Sequence, residues 1–231
     1  MKNNINHVNI HRDFCGVYLL KKSEKENVFL DLRNKIMNLT YKPGTMLSEI
    51  NLASEYNVSR SIIRDVLREI KDYGFIETIP RGGTYITEIA MKDFRDIFEV
   101  KSELEGLAAE LVVERITLEQ KNAFKKLVDK IQNGNSFKMS QEDYIEYDEK
   151  FHQLMRDASG NKELARLLEN YHIRCTRLWY YISTDIPDDT FTEDYINFYE
   201  QGVVPQNTVR AKEIMRGHTA KFVNLIKIKI F

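Results

Sequence analysis

The 231 residues exceed what one small domain needs and allow two. A hydrophobic share of 42% can fill real cores, while a formal net charge of −1 excludes bulk positive charge as a route to a polyanion. No apolar run approaches the roughly 18 residues of a membrane span, and the Asn- and His-bearing amino terminus lacks a signal peptide's apolar core.

Residues 1–23 read as a polar arm, interrupted by an apolar patch at Phe14–Leu20. Cys15 and Cys175 are isolated thiols without metal spacing, which fits a reducing, cytoplasmic setting. Ser23 caps a helix expected to reach about Asn38, with Val28, Leu32, Ile36 and Leu39 on one face. Lys42-Pro43-Gly44 breaks it. Ser48 caps a short helix, Glu49–Tyr56, and Asn57 turns the chain into a further helix that Ser59 caps and Gly74 ends. Two β-rich runs, Phe75–Ile79 and Thr84–Thr87, flank Pro80-Arg81-Gly82-Gly83 and predict a hairpin. Three helices and a hairpin make a winged helix-turn-helix over 24–89. The boundary falls near Glu88–Lys92, and residues 91–231 follow as an all-helical bundle. Its helices are expected at about 91–115, 118–132, 140–158, 162–182, 190–201 and 206–228, with breaks at Asn133-Gly134-Asn135, Ser159-Gly160-Asn161 and Asp185–Asp189. The predicted fold class is therefore mainly α.

The helix after Ser59 carries the clearest functional signal. At helical spacing, Arg60, Arg64, Arg68 and Lys71 form one stripe, and Asp65, Glu69 and Asp72 a second. Ile62, Ile63, Val66, Leu67, Ile70 and Tyr73 form a third, which can bury. A helix with one apolar face and one basic ridge suits the major groove of DNA, where Arg can bridge guanine O6 and N7. Ser59, Arg60, Ser61, Arg64 and Arg68 lie where base or phosphate contact is expected, and Arg81, Gly82 and Gly83 sit at the hairpin tip. The competing reading pairs the arginines with Asp65, Glu69 and Asp72 on a solvated face. Residues Glu24 to Glu88 hold nine basic and ten acidic side chains, so any DNA contact rests on the local stripe.

In the bundle, polar groups interrupt apolar stripes. Lys101 sits inside the stripe of Phe94, Ile97, Val100, Leu104 and Ala108, with Glu105 beside it. Asp148 and His152 lie one turn apart at the edge of the Tyr144/Tyr147/Phe151/Met155 stripe, and His218 is central in the last helix. Burying a charge is costly unless it is paired or metal-bound. An Asp-x-x-x-His pair facing another inward His therefore suggests a metal site or polar pocket. A satisfied core histidine and a snorkelling lysine are the alternatives. His172 and Arg174 flank the Leu164/Leu168/Tyr171/Cys175 face as pocket or rim residues.

Residues 28–88 resemble the winged helix of the GntR family of bacterial transcription factors. The resemblance rests on Tyr41–Glu49, Leu52-Ala53, Val58–Leu67, Gly74–Ile76 and Pro80–Tyr85, with Ser61-Ile62-Ile63 where the family has Thr-Pro-Val. It carries DNA contact to Ser59, Arg60, Ser61, Arg64 and Gly82–Gly83. The second half resembles the FCD ligand-binding domain of the FadR subfamily, through Phe98–Glu105, Asp148–His152, Ala158–Asn161 and Ala211–His218. Many such domains hold a divalent metal with one Asp and three His, beside a small carboxylate effector. Asp148, His152 and His218 match three ligands. The remaining His would fall near Tyr195–Asn197, where the chain offers Asn197 or a tyrosine, and the family's Arg in the first bundle helix is Lys101 here. The resemblance implies a dimeric repressor on a palindromic double-stranded operator. Its effector, an organic acid, would bind among Lys101, Glu105, His172, Arg174 and Asn197, with Zn²⁺ or Ni²⁺ at Asp148, His152 and His218. The alternatives are a metal-dependent hydrolase built on the bundle and a bundle that serves only as a dimer scaffold.

Overall fold

The computed structural model describes residues 23–133, 141–182 and 191–230; residues 1–22 of the expected arm, Cys15 among them, Gly134-Asn135 of the first expected break and the break at Asp185–Asp189 lie outside them. The first helix, α1 (Glu24–Met37), starts where Ser23 Oγ accepts from the Glu26 amide at 3.2 Å. It stops short of Leu39, whose φ of 62° ends the helical path. Helix α2 (Glu49–Tyr56) is capped by Ser48 and ends at Asn57 in the left-handed region, φ 52°. This conformation is accessible to Asn at low cost. Helix α3 (Arg60–Asp72) is capped by Ser59, and the chain leaves it at Gly74 with φ 71°.

The hairpin strands are β2 (Ile76–Ile79) and β3 (Gly83–Ile86). A third strand, β1 (Met46–Leu47), pairs antiparallel with β3 and completes a sheet of order β1-β3-β2. Two residues carry no readable alternation, so this strand is set by tertiary pairing: Met46 opposes Tyr85, and Leu47 opposes Thr84. Leu32, Ile36, Ile63, Val66, Ile70, Phe75 and Ile86 bury together as the core of a winged helix-turn-helix.

A bundle of helices comes next: α4 (Met91–Arg115), α5 (Leu118–Asn133), α6 (Gln141–Ala158), α7 (Lys162–Ile182), α8 (Thr192–Asn197) and α9 (Thr208–Ile230). Helix α9 lies along α4. Phe124, Phe151, Met155, Phe198, Ala211 and Met215 form the centre of the bundle core. The expected helix over 190–201 differs in detail. It becomes α8 followed by a π-helical segment, Phe198–Val203. The wider turn buries Phe198 and Val203 while setting Gly202 against α9, where an added Cβ would stand 2.8 Å from that of Ala211. Among the described residues, no helix is long and apolar enough to cross a membrane.

Candidate nucleic-acid interface and effector pocket

Helix α3 buries Ile63, Val66, Leu67 and Ile70 and turns its arginines outward. Ser59 Oγ accepts from the Ile62 amide and lies 2.8 Å from Ser61 Oγ, so both hydroxyls stand at the helix start. Arg60 and Arg64 do not pair within α3. Both reach Glu49 Oε2 on α2, at 3.4 and 2.8 Å, with more than half of each side chain exposed. Arg68 does pair within its own helix, with Asp65 at 3.2 Å. The Glu69 partner is Lys25 on α1. At the hairpin tip the Gly82 amide donates to the Ile79 carbonyl at 2.9 Å, closing a turn with Pro80 and Arg81 at its centre. Arg81 takes φ 62° there, a position that normally favours Gly, and it stays exposed. The basic stripe and the tip are thus free of the core and available to a partner.

The second constellation is inside the bundle. Helix α4 supplies Lys101 and Glu105, which pair with each other and are both buried. Thr219 of α9 donates to Glu105 Oε2 at 2.6 Å, and His152 Nδ1 lies 3.2 Å from Glu105 Oε1. Helix α6 supplies Asp148, Glu149 and His152, and α7 supplies His172. Asp148 is shared: His152 Nε2 and His172 Nε2 each stand 3.5 Å from its oxygens, and the Tyr195 hydroxyl donates to it. His172 Nε2 also lies 2.7 Å from Glu149, and His218 Nδ1 lies 3.3 Å from Asp194, which accepts from Lys221. Each imidazole therefore has a carboxylate of its own: Glu105, Glu149 or Asp194. For His152 and His218 such a partner sets the ring's tautomer and aim, whereas at His172 Glu149 takes the same Nε2 that faces Asp148.

These contacts set the charges. Burial pushes the Glu105 carboxyl up, but Lys101 together with His152 and His218 outweighs it, and the group lies at about 2. Burial raises Asp148 as well, and the surrounding imidazoles bring it far below the usual carboxylate range. For His152, burial outweighs the attraction of Glu105 and Asp148 and lowers it to about 4. The ring is neutral at pH 7, as a metal ligand must be. Burial drives the Cys175 thiol up to about 12, so it stays protonated.

The His152 shift predicts acid sensitivity. A folded pKa of about 4 against an unfolded 6.5 means stability that is fully present above pH 6.5 and lost as pH falls through 4. That loss is about 3 kcal/mol. Glu105 adds a second loss between 4.5 and about 2. Urea unfolding of chelator-treated protein should show the first decline, and His152→Gln should flatten it. A wild-type stability constant from pH 6.5 to 4 would contradict the assignment.

Donor atoms of Asp148, His152 and His172 all lie within 4.8 Å of one another. One carboxylate and two imidazoles form a set that could hold a divalent metal ion. His218, expected from the sequence as a ligand, stands beside this group with its ring 5.4 Å from that of His152 and its Nδ1 toward Asp194. The Tyr195 hydroxyl, on Asp148, stands where sequence spacing left a histidine missing. Asn197 instead accepts from Gln201 at 2.7 Å. Arg174 turns away from the cluster, its guanidinium beside Gly74 of the winged domain. The cluster opens on a cavity of about 470 Å³, counting its mouth, which Lys101 also lines. The opposite wall is aromatic: Trp179 stacks between Tyr144 and Phe222, at ring distances of 5.4 and 5.1 Å. Sequence reading missed Glu149, Asp194 and Trp179. An acid directly after Asp148 was the available signal for the first.

Comparison with known proteins agrees with both halves. Residues 24–86 match the family described as bacterial regulatory proteins, gntR family, and residues 96–220 match the FCD domain. The uncharacterized HTH-type transcriptional regulator YdhC of Bacillus subtilis (strain 168) is 30% identical over 189 residues, 81% of this chain and 84% of its own. The HTH-type transcriptional repressor RspR of Escherichia coli (strain K12) is 25% identical over 155 residues, 67% of this chain and 68% of its own. The solved structure of E. coli McbR/YncC shares the fold, with a TM-score of 0.75 at 19% identity over 91% of this chain and all of that one.

Proposed function

Because the chain belongs to the GntR family of bacterial regulatory proteins and carries an FCD domain behind its winged helix, we propose that it is a dimeric repressor released or engaged by a small organic acid. It is a transcriptional regulator and not an enzyme, so the hydrolase alternative lapses. Residues 24–89 would bind DNA in the cytoplasm. Two copies would place two α3 helices in successive major grooves of a palindrome. Ser59, Arg60, Ser61, Arg64 and Arg68 would face bases and phosphates, with Arg81, Gly82 and Gly83 against the backbone. Repression is the reading favoured by the name that the relative RspR bears. Residues 91–231 would dimerise and bind the effector.

The observation that carries the effector reading is the Asp148–His152–His172 cluster at the floor of an aromatic-walled cavity. Lys101 is already neutralised by Glu105, so the residues alone leave the floor anionic. Asp148, His152 and His172 would hold a divalent ion, with His218 beside them; when bound, that ion supplies the positive charge that attracts a carboxylate. Tyr195 would hold Asp148 in place, and Trp179 and Phe222 would cover the body of the acid.

Trp179 is the sole tryptophan of the chain and reports directly on this cavity. Protein purified without chelator should carry about one metal per chain by elemental analysis. Zn²⁺ or Ni²⁺ should change Trp179 fluorescence in stripped protein, and Asp148→Ala should abolish both signals. Absence of metal, with no change in fluorescence or melting on adding either ion, would overturn the metal-dependent reading.

A further inference from the structure

Helix α7 buries two faces, and they serve different domains. His172, Cys175, Thr176 and Trp179 line the cavity. From the other side of the helix Ile173 enters the hydrophobic core of the winged domain, beside Leu32, Ile70 and Phe75. Asn170 Nδ2 donates to the carbonyl of Asp72, the last residue of α3, at 3.3 Å. Arg177 is the deepest contact, 4% exposed. Its Nη1 donates to Thr87 Oγ1 at 3.0 Å and its Nη2 to the Thr87 carbonyl at 2.7 Å, with the guanidinium 5.3 Å from the Phe75 ring. Thr87 in turn donates through Oγ1 to the Gly74 carbonyl at 2.8 Å, and its amide donates to Phe75. Arg177 thus plugs the joint at which the end of α3 meets the base of the hairpin.

The two faces belong to the same turns of the helix. Thr176, which lines the cavity, donates to the His172 carbonyl at 3.0 Å and is the neighbour of Arg177. A helix turn transmits rotation as a rigid unit, so a shift of His172 toward the Asp148 side must move Ile173 and Arg177. The seat is also not fully satisfied. Among the described residues, Arg177 Nε is buried without a hydrogen-bond partner, which lowers the cost of leaving it.

Resting on the effector-site reading above, we propose that Arg177 is the positioning residue that couples the bundle cavity to the winged domain: α7 moves with His172, and Arg177 carries that motion through Thr87 and Phe75 to the end of α3. Coupling of this kind needs one element that both sites bias, and α7 is in contact with both.

The test uses full-length, metal-stripped protein and Zn²⁺ alone as the probe. Trp179 fluorescence reads binding, and amide hydrogen exchange over residues 72–88 reads the winged joint. In wild type, Zn²⁺ should bind and change exchange in 72–88. Arg177→Gln should leave the Zn²⁺ titration within about twofold of wild type. It should also speed exchange in 72–88 by about tenfold or more without metal, a loss typical of charge-assisted hydrogen bonds. The Zn²⁺-dependent difference should vanish. Arg177→Lys should fail in the same way, because one ammonium cannot span both Thr87 atoms and lie over Phe75. Thr87→Val, which keeps the carbonyl, should retain a reduced response and keeps the test alive if the Arg177 variants do not fold. A wild-type Zn²⁺ response in both Arg177→Gln and Thr87→Val overturns the coupling role while leaving the effector site standing. Zn²⁺ binding to wild type with no response in 72–88 does the same. Failure of Zn²⁺ to bind wild type overturns the effector-site reading and this inference with it.

Discussion

Lys101→Met is expected to lower the stability of the protein by about 3–5 kcal/mol, the cost of leaving one member of a buried ion pair alone. The pair is enclosed: Lys101 is 5% exposed and Glu105 1%. At neutral pH His152 is uncharged, so Lys101 is the cation that holds Glu105 ionised. Without it, Glu105 keeps the Thr219 hydroxyl and His152 as partners. The remaining charge must then draw a proton onto the carboxylate or onto His152, and either event costs stability at pH 7. Urea unfolding measures the loss. The double variant Lys101→Met, Glu105→Leu should recover most of it, since an apolar pair of similar volume removes both desolvation penalties. A single-variant loss below about 1 kcal/mol would mean that the pair is better solvated than its burial implies.

Arg60→Ala combined with Arg64→Ala is expected to weaken binding to a palindrome selected from random DNA by about 100-fold or more. A bidentate arginine contact to guanine is worth about 1–3 kcal/mol, and the double variant removes two arginines proposed to make such contacts. Stability should hardly change. The pairs with Glu49 are more than half exposed on the arginine side, and such surface pairs contribute about 0–1 kcal/mol. Glu49 gathers both guanidinia at one point, so DNA must take them from it. Fluorescence anisotropy at fixed salt gives the affinity. Unchanged binding by a folded double variant would remove α3 from the interface.

These two sites differ in how far the amino-acid sequence reveals them. The apolar, acidic and basic stripes of α3 come from a single helical period, and its ends from Ser59 and Gly74, all within one short window. The wing is legible in its turn residues. The bundle site draws on α4, α6, α7, α8 and α9, and there periodicity fails for a geometric reason. His172 and Arg174 lie two residues apart, roughly 200° around a helix. They flank one apolar face about equally well, yet one meets Asp148 and the other Gly74. Likewise Tyr195 rather than Asn197 reaches Asp148: the two lie roughly 200° apart around α8, and how α8 is packed decides which one faces the cluster.

Local patterning is enough to specify the winged helix, the helical second half, the outward basic ridge and an Asp-x-x-x-His pair on an inward edge. Local period, caps and breakers encode all of these over a few turns. Long-range packing is what makes Arg60 and Arg64 share Glu49, completes the sheet with β1, brings His172 to Asp148 and His152, and sets α7 against both domains. Those outcomes depend on the rotation of one helix against another. Close packing of many distant side chains sets that rotation, and no single stretch of the chain contains it.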